Sequence, residues 1–304
     1  MRIFLTGATG VLGRRVVPRL VELGHEVTAV ARTEEKRTAL ERTGARGVRV
    51  DLFDPIATKA AVKGAEVIIN LATAVPRPGL GMFFERSWRE MDRVRRTVSR
   101  NLVDAALEGD GVERFVQESF APIYANGGDY WLDESSAVRP ARYNRSVLEA
   151  EANAERMTRA GRVGVVLRFG WFYGPDDPPT ELLIGGIRHG VFPLPGSPDA
   201  YVSFIEHGDA ASAVIAALSV PAGVYDAVDD EPLRRRDLAD AIAKELGKRP
   251  PRFLPSKLGR MTGSIGEVTA RSLRISNRKL REASDFAPRY PNAVEGMKAI
   301  IAAR

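Results

Sequence analysis

The chain has 304 residues, 44% hydrophobic and 28% charged, with 45 Lys and Arg against 39 Asp and Glu for a net charge of +6. That balance supplies a sizeable core and excludes a disordered chain; the length suits one large domain or two closely joined ones. With no cysteine there are no disulfides, thiolate metal sites or cysteine nucleophiles, and three scattered histidines (His25, His189, His207) argue against a histidine-held metal. No apolar run reaches the ~18–20 residues that cross a bilayer. The chain opens directly on a strand and turn, so a cytoplasmic protein without a signal peptide or membrane span is expected.

Short β-branched runs alternate with helical patterns through the first half. Ile3–Thr6, Val27–Ala31, Val48–Val50, Val67–Leu71 and Phe115–Gln117 read as buried parallel strands. Between them, Val11–Leu23, Glu34–Thr43, Ile56–Val62 and Met91–Leu107 carry apolar residues at helical spacing. Asp54-Pro55 reads as an N-cap followed by proline in the first helical position. In the basic run from Arg86 to Arg100, Arg89, Arg93, Arg96 and Arg100 share one stripe, and Val94, Val98 and Leu102 line another face. Glu85, Glu90 and Asp92 are interleaved and no aromatic platform accompanies them. This is a solvated amphipathic helix or a homodimer contact rather than a nucleic-acid surface.

A helix over Tyr143–Ala160 and an apolar strand over Val163–Phe169 follow. The alternation then loosens at the breaks Gly174 to Pro179 and Phe192 to Pro198, with a strand at Gly223–Val228, a helix at Leu238–Leu246 and a mixed tail from Lys248. The expectation is an α/β fold: a doubly wound parallel Rossmann sheet with a smaller C-terminal substrate-capping region. Residues 1–170 form the nucleotide-binding part and residues 171–304 the substrate-binding region, with 201–230 returning to the sheet.

Thr6-Gly7-Ala8-Thr9-Gly10-Val11-Leu12-Gly13 joins the first strand to the first helix. Gly7 permits the tight turn, Gly10 lets the backbone approach a pyrophosphate, and Gly13 allows close helix–strand packing. The helix start behind the turn presents N–H groups and the positive end of its dipole to phosphates. Nineteen residues beyond Gly13 stands Arg32. A carboxylate there would hold the adenosine ribose of NAD; an arginine suits the 2′-phosphate of NADP. Thr33, Lys36 and Arg37 follow and deepen the positive field. NADP(H) is therefore the expected cofactor, with NAD(H) second. Ligands bind at the carboxyl ends of parallel strands, which places Asp51 and Leu52 beside the adenine and Leu71, Ala72 and Thr73 beside the ribose and nicotinamide half. Gly170, Trp171 and Phe172, after the sixth strand, would meet the nicotinamide amide.

The glycine turn, Asp51-Leu52, Asn70-Leu71-Ala72, Phe115-Val116 with Ser119 and Tyr124, Tyr143 to Ser146, Leu167-Arg168-Phe169 with Tyr173-Gly174-Pro175, His207-Gly208-Asp209 and Gly223 to Pro232 occur in this order. Together they resemble the extended short-chain dehydrogenases/reductases of the NAD-dependent epimerase/dehydratase type, from residue 1 to about 290. The resemblance implies an acid–base centre made of a tyrosine, a lysine four residues later and a serine or threonine. Tyr143 stands where the tyrosine belongs. The lysine position holds Val147 and the hydroxyl position, counted back from Tyr124, holds Phe120, with Ser119 immediately before it. A phenol of pKa about 10 is a poor base at neutral pH, yet it can still give a proton to a carbonyl oxygen as hydride arrives.

Trp131, Tyr130, Trp171, Phe172 and Tyr173 favour an apolar or aromatic small molecule over a nucleotide sugar. The reading is an NADP(H)-dependent oxidoreductase acting on a small organic carbonyl or related compound, with Tyr143 and Ser119 as the catalytic candidates. The rival reading is a catalytically silent NADP(H)-binding sensor or scaffold.

Overall fold

The computed structural model describes residues 1–76, 84–175, 177–254 and 263–303. Asp176, within the expected break at Gly174 to Pro179, and part of the expected tail lie outside the described residues.

Seven parallel strands build the central sheet: β1 (Arg2–Thr6), β2 (Glu26–Val30), β3 (Arg46–Val48), β4 (Val67–Asn70), β5 (Arg114–Phe120), β6 (Val163–Phe169) and β7 (Gly223–Ala227). Their spatial order is β3-β2-β1-β4-β5-β6-β7, so the winding reverses between β1 and β4. Alternation along each strand supplies two cores. Ile3, Leu5, Ala29, Ile69 and Val116 face one side with Val16, Val17 and Leu20 of α1 (Gly13–Glu22). Phe4, Ile68, Phe115 and Val166 face the other, against α5 (Ser99–Glu108) and α6 (Val147–Arg159). The intervening helices are α2 (Glu34–Glu41), α3 (Pro55–Val62) and α4 (Arg89–Arg93); α4 continues into α5 through a π turn at Val94–Val98. Asp54 caps α3 by accepting from the amides of Ile56 and Ala57, with Pro55 next to it.

The C-terminal half adds α7 (Pro178–Arg188), α8 (His207–Ala216) and α9 (Arg235–Glu245). It has its own apolar cluster, in which Tyr173, Phe192, Phe204, Leu238 and Met297 are buried. The strand Gly223–Ala227 pairs with β6, and α8 brings Ala210, Ala213 and Val214 to the core that holds α1.

Most element ends differ from the sequence reading by one to three residues, and two of the differences bear on the site. β3 ends at Val48 rather than Val50, because only Arg46 to Val48 pair with β2 and Asp51 then folds a turn by accepting from the Phe53 amide (2.9 Å). The helix expected over Tyr143–Ala160 begins at Val147; Arg142–Asn144 form a separate 3₁₀ turn whose tyrosine ring packs against Trp88.

Candidate functional site

A cleft of about 750 Å³ lies over the carboxyl ends of β1 to β4, at the switch point where ligands of doubly wound sheets bind. Gly7, Thr9 and Gly10 form one wall. Gly7 has φ 71° and a Cβ on it would collide with the Leu71 carbonyl; a Cβ on Gly13 would run into the backbone of Gly7 and Ala8. At Gly10 a Cβ would meet only the Gly7 carbonyl oxygen, at 3.2 Å, and the rest of a side chain would stand in the cleft. Ala8 and Leu12 are buried, Val11 is exposed, and none of the three lines the cleft; they set the turn's shape. The start of α1 has no side-chain cap and no acidic residue in its first turn, so its dipole faces the cleft uncompensated. These features suit a pyrophosphate.

A hydrogen-bonded chain stiffens the floor. Thr6 Oγ1 donates to Asn70 Oδ1 (2.6 Å), Asn70 Nδ2 to Gln117 Oε1 (2.9 Å) and Gln117 Nε2 to the Glu118 carbonyl (2.7 Å). The ends of β1, β4 and β5 are thereby tied together directly beneath the switch point.

The far wall carries Arg32, Lys36 and Arg49, and beyond them Asp51, Leu52 and Phe53. Arg37, by contrast, is tied to Glu34 and Glu41 and does not line the cleft. Leu71, Ala72 and Thr73 line the opposite end, with Glu90, Val94 and Val98 closing it from α4 and the π turn. Sequence reasoning missed Arg49, Phe53 and the α4 residues. The signal for Arg49 was its place directly after β3, obscured by reading that strand two residues too far along the chain.

The catalytic candidates lie elsewhere. Tyr143 is 5% exposed and outside the cleft lining, its ring 4.6 Å from Trp88 in an edge arrangement. Burial pushes its phenol well above the ordinary value, against a smaller pull from Arg95 and Arg271. Ser119 donates to Glu151 Oε1 (2.5 Å). Glu151 is also held by Arg168 through Nε (2.9 Å) and Nη2 (2.7 Å), Arg168 Nη1 donates to the Tyr124 hydroxyl (2.8 Å), and Tyr124 donates to Asp226 Oδ2 (2.8 Å). All five are buried, so Ser119 is the end of an internal ionic ladder that crosses from β5 to β7. Phe120 stands edge-on to Trp171, ring centroids 5.1 Å apart, and Val147 is fully buried. Gly170, Trp171 and Phe172 do not line the cleft either: the Gly170 amide bonds the Ala227 carbonyl (3.1 Å), and Trp171–Tyr173 pairs in parallel with Phe204–Glu206. Of the outer aromatics, Trp131 lies beneath Arg274 (4.2 Å) and Tyr130 is exposed. Among the described residues no group of three or more His, Asp or Glu is arranged to hold a metal, and no helix is long and apolar enough to cross a membrane.

Comparison with known proteins agrees with this cleft. The family described as NAD(P)H-binding matches residues 7–190, more than half of the chain. A 3-diazoavenalumate denitrifying reductase from Streptomyces sp. is 31% identical over 98% of this chain and 99% of its own length. A 2-alkyl-3-oxoalkanoate reductase from Shewanella oneidensis is 28% identical over 89% of this chain and 73% of its own. Among solved structures, the human epimerase family protein SDR39U1 with NADPH superposes with a TM-score of 0.79, at 20% identity and 99% coverage of both chains. The UDP-N-acetylglucosamine 4-epimerase of Bacillus cereus gives 0.76 at 20% identity, covering 100% of this chain and 99% of its own. The sheet order, the glycine turn and these matches agree: the chain belongs to the NAD(P)H-binding family and shares the fold of the epimerase structures.

Proposed function

We propose that this protein is an NADPH-dependent reductase that acts on a small organic carbonyl or related compound. The observation that carries the reading is the set of three cations, Arg32, Lys36 and Arg49, at the end of the cleft opposite Leu71 to Thr73. Their charge suits a 2′-phosphate, Gly7 to Gly13 suit the pyrophosphate, and Leu71 to Thr73 lie toward the nicotinamide half. When bound there, NADPH supplies a hydride to the acceptor. Residues 1–170 are read as the cofactor-binding part and 171–304 as the part facing the substrate.

In carbonyl reduction Tyr143 is the proton donor. As a neutral phenol it needs no lysine to be charged correctly at pH 7, and burial keeps it neutral. A second acceptor class is favoured by the same burial and by the full-length relative that acts as a denitrifying reductase on a diazo compound. An aryl diazonium takes a hydride at carbon while its C–N bond breaks and dinitrogen leaves, and no protein acid is required.

Tyr143→Phe separates the two. With ketone acceptors it should cost ~10²–10⁴-fold in kcat, the usual worth of general-acid catalysis, and with diazo acceptors it should cost little. If the variant reduces ketones at the wild-type rate, Tyr143 is not the donor. If the wild type binds NADPH and reduces neither class, the sensor or scaffold reading replaces this one.

A further inference from the structure

Val147 gives Tyr143 no cation from its own helix, but the neighbouring helix brings one to the same level. α6 runs alongside α4 and α5 in a fixed register: Arg96 Nε donates to Glu149 (2.7 Å), Asn153 Nδ2 to Ser99 (2.8 Å) and Arg156 Nη2 to Asp104 (2.6 Å). Carried back along both helices, that register sets Arg95 beside Val147 and Leu148. Trp88, Met91 and Arg95 share one face by helical spacing, and Trp88 and Met91 already pack with Tyr143 in one cluster. Arg95 lies in the π turn at Val94–Val98 and is 5% exposed, while Arg93, Arg96 and Arg100 are exposed.

Arg95 Nη2 lies 3.7 Å from Glu118 Oε1 at the carboxyl end of β5. Arg95 Nε and Glu118 Oε2 are both buried without a hydrogen-bond partner among the described residues. A buried ion pair with an orphaned atom on each side is a poor stabilising device, and π turns recur at functional positions. Glu118 itself is a buried carboxylate near the carboxyl end of a parallel strand, an unusual place for a charged side chain.

We propose that Arg95 does, from the adjacent helix, the electrostatic work that the family assigns to a lysine at position 147. It is a positioning residue: it stabilises negative charge on the Tyr143 oxygen as the phenol gives up its proton, and Glu118 holds the guanidinium in place. The inference rests on the reading of Tyr143 as proton donor. In that step the phenol O–H bond breaks, an O–H bond forms on the acceptor oxygen, the bound NADPH provides the hydride, and the phenolate regains its proton from water. The other cation acting on Tyr143 is Arg271, whose Nη2 pairs with Glu267 (2.9 Å) and whose Nη1 donates to the Tyr124 carbonyl (2.9 Å). Burial raises the Glu118 carboxyl, which leaves the charge of Arg95 less than fully countered.

The test replaces Tyr143 with 2,3,5-trifluorotyrosine, whose phenol ionises at much lower pH, and follows its absorbance in the whole protein. Arg95→Met should raise the midpoint by about 1–3 pH units, the effect of removing an opposite charge at close range, and Arg95→Lys should restore most of it. Arg95→Met leaves Glu118 stranded, so Arg95→Met/Glu118→Gln is measured alongside. The same raised midpoint in the double variant supports the assignment; a return to the wild-type midpoint means the stranded carboxylate caused the shift and overturns it. An unchanged midpoint in Arg95→Met overturns it as well, whether or not an acceptor is known. Should the wild type reduce ketones, Arg95→Met should lower kcat about 10-fold or more while NADPH affinity holds. Absence of any turnover would count against the proposed function, and the titration would still decide the role of Arg95.

Discussion

Arg32 offers the sharpest perturbation of cofactor choice. It is exposed at the cleft wall and has no ion pair with any described residue, so its charge is available to a ligand. A charge-assisted hydrogen bond contributes ~1.5–3 kcal/mol, and exposure to solvent and salt argues for the lower end. That corresponds to about a tenfold change in Kd. Lys36 and Arg49 remain in place, so Arg32→Ser should weaken NADPH about tenfold without abolishing it, and NADH should be unaffected. Arg32→Asp adds repulsion of the 2′-phosphate and a carboxylate that can accept from a ribose hydroxyl, so NADH should gain as NADPH loses. Titration calorimetry at two salt concentrations measures both, and only NADPH binding should weaken steeply with salt. Equal wild-type affinity for the two cofactors, or an equal loss of both in Arg32→Ser, would refute the assignment.

Gly10→Val should abolish NADPH binding while circular dichroism shows the fold retained, since its side chain would stand in the cleft rather than in the core. Gly7→Ala should differ by lowering Tm as well, because alanine must adopt a φ of 71° and its Cβ collides with Leu71. His207 is 1% exposed, and burial depresses its pKa from 6.5 to about 3, with Arg15 and Arg14 adding to the effect. Its neutral form is the folded one, so its contribution is intact above pH 6.5 and lost as pH falls toward 3, about 2 kcal/mol between pH 7 and 5. Glu206 and Asp209 are shifted upward by burial and act in the opposite sense, so the readout is the difference between wild type and His207→Gln in urea unfolding at the two pH values. Identical pH dependence in both proteins would contradict the role given to His207.

The nucleotide half was legible because its signals are local. A glycine turn between a strand and a helix, Asp54-Pro55 at a helix start and Arg32 after β2 each act within a few residues of themselves. The arginine stripe was legible too: Arg93, Arg96 and Arg100 are exposed, and Val94, Val98 and Leu102 are buried. Arg95 was not, since its partner Glu118 is 23 residues away on β5 and only the fold brings the two together. The ladder from Ser119 to Asp226 was hidden for a different reason: Tyr124 and Asp226 are 102 residues apart, and only the pairing of β5, β6 and β7 brings them together. Tyr143 shows the limit of register as a guide. Its place in the motif was readable; its packing under Trp88, which decides what its hydroxyl can reach, was not.

Hydride transfer from NADPH to an organic acceptor, the activity proposed for this protein, can be followed by isotope labelling. NADPH deuterated at C4, separately in each of its two positions, is incubated with the protein and with ketone and aryl diazonium acceptors, and the products are analysed by mass spectrometry. Deuterium is expected at the reduced carbon from one of the two positions only, and is expected to be lost in Gly10→Val. A protein that binds NADPH one to one by calorimetry and leaves every product unlabelled would contradict it.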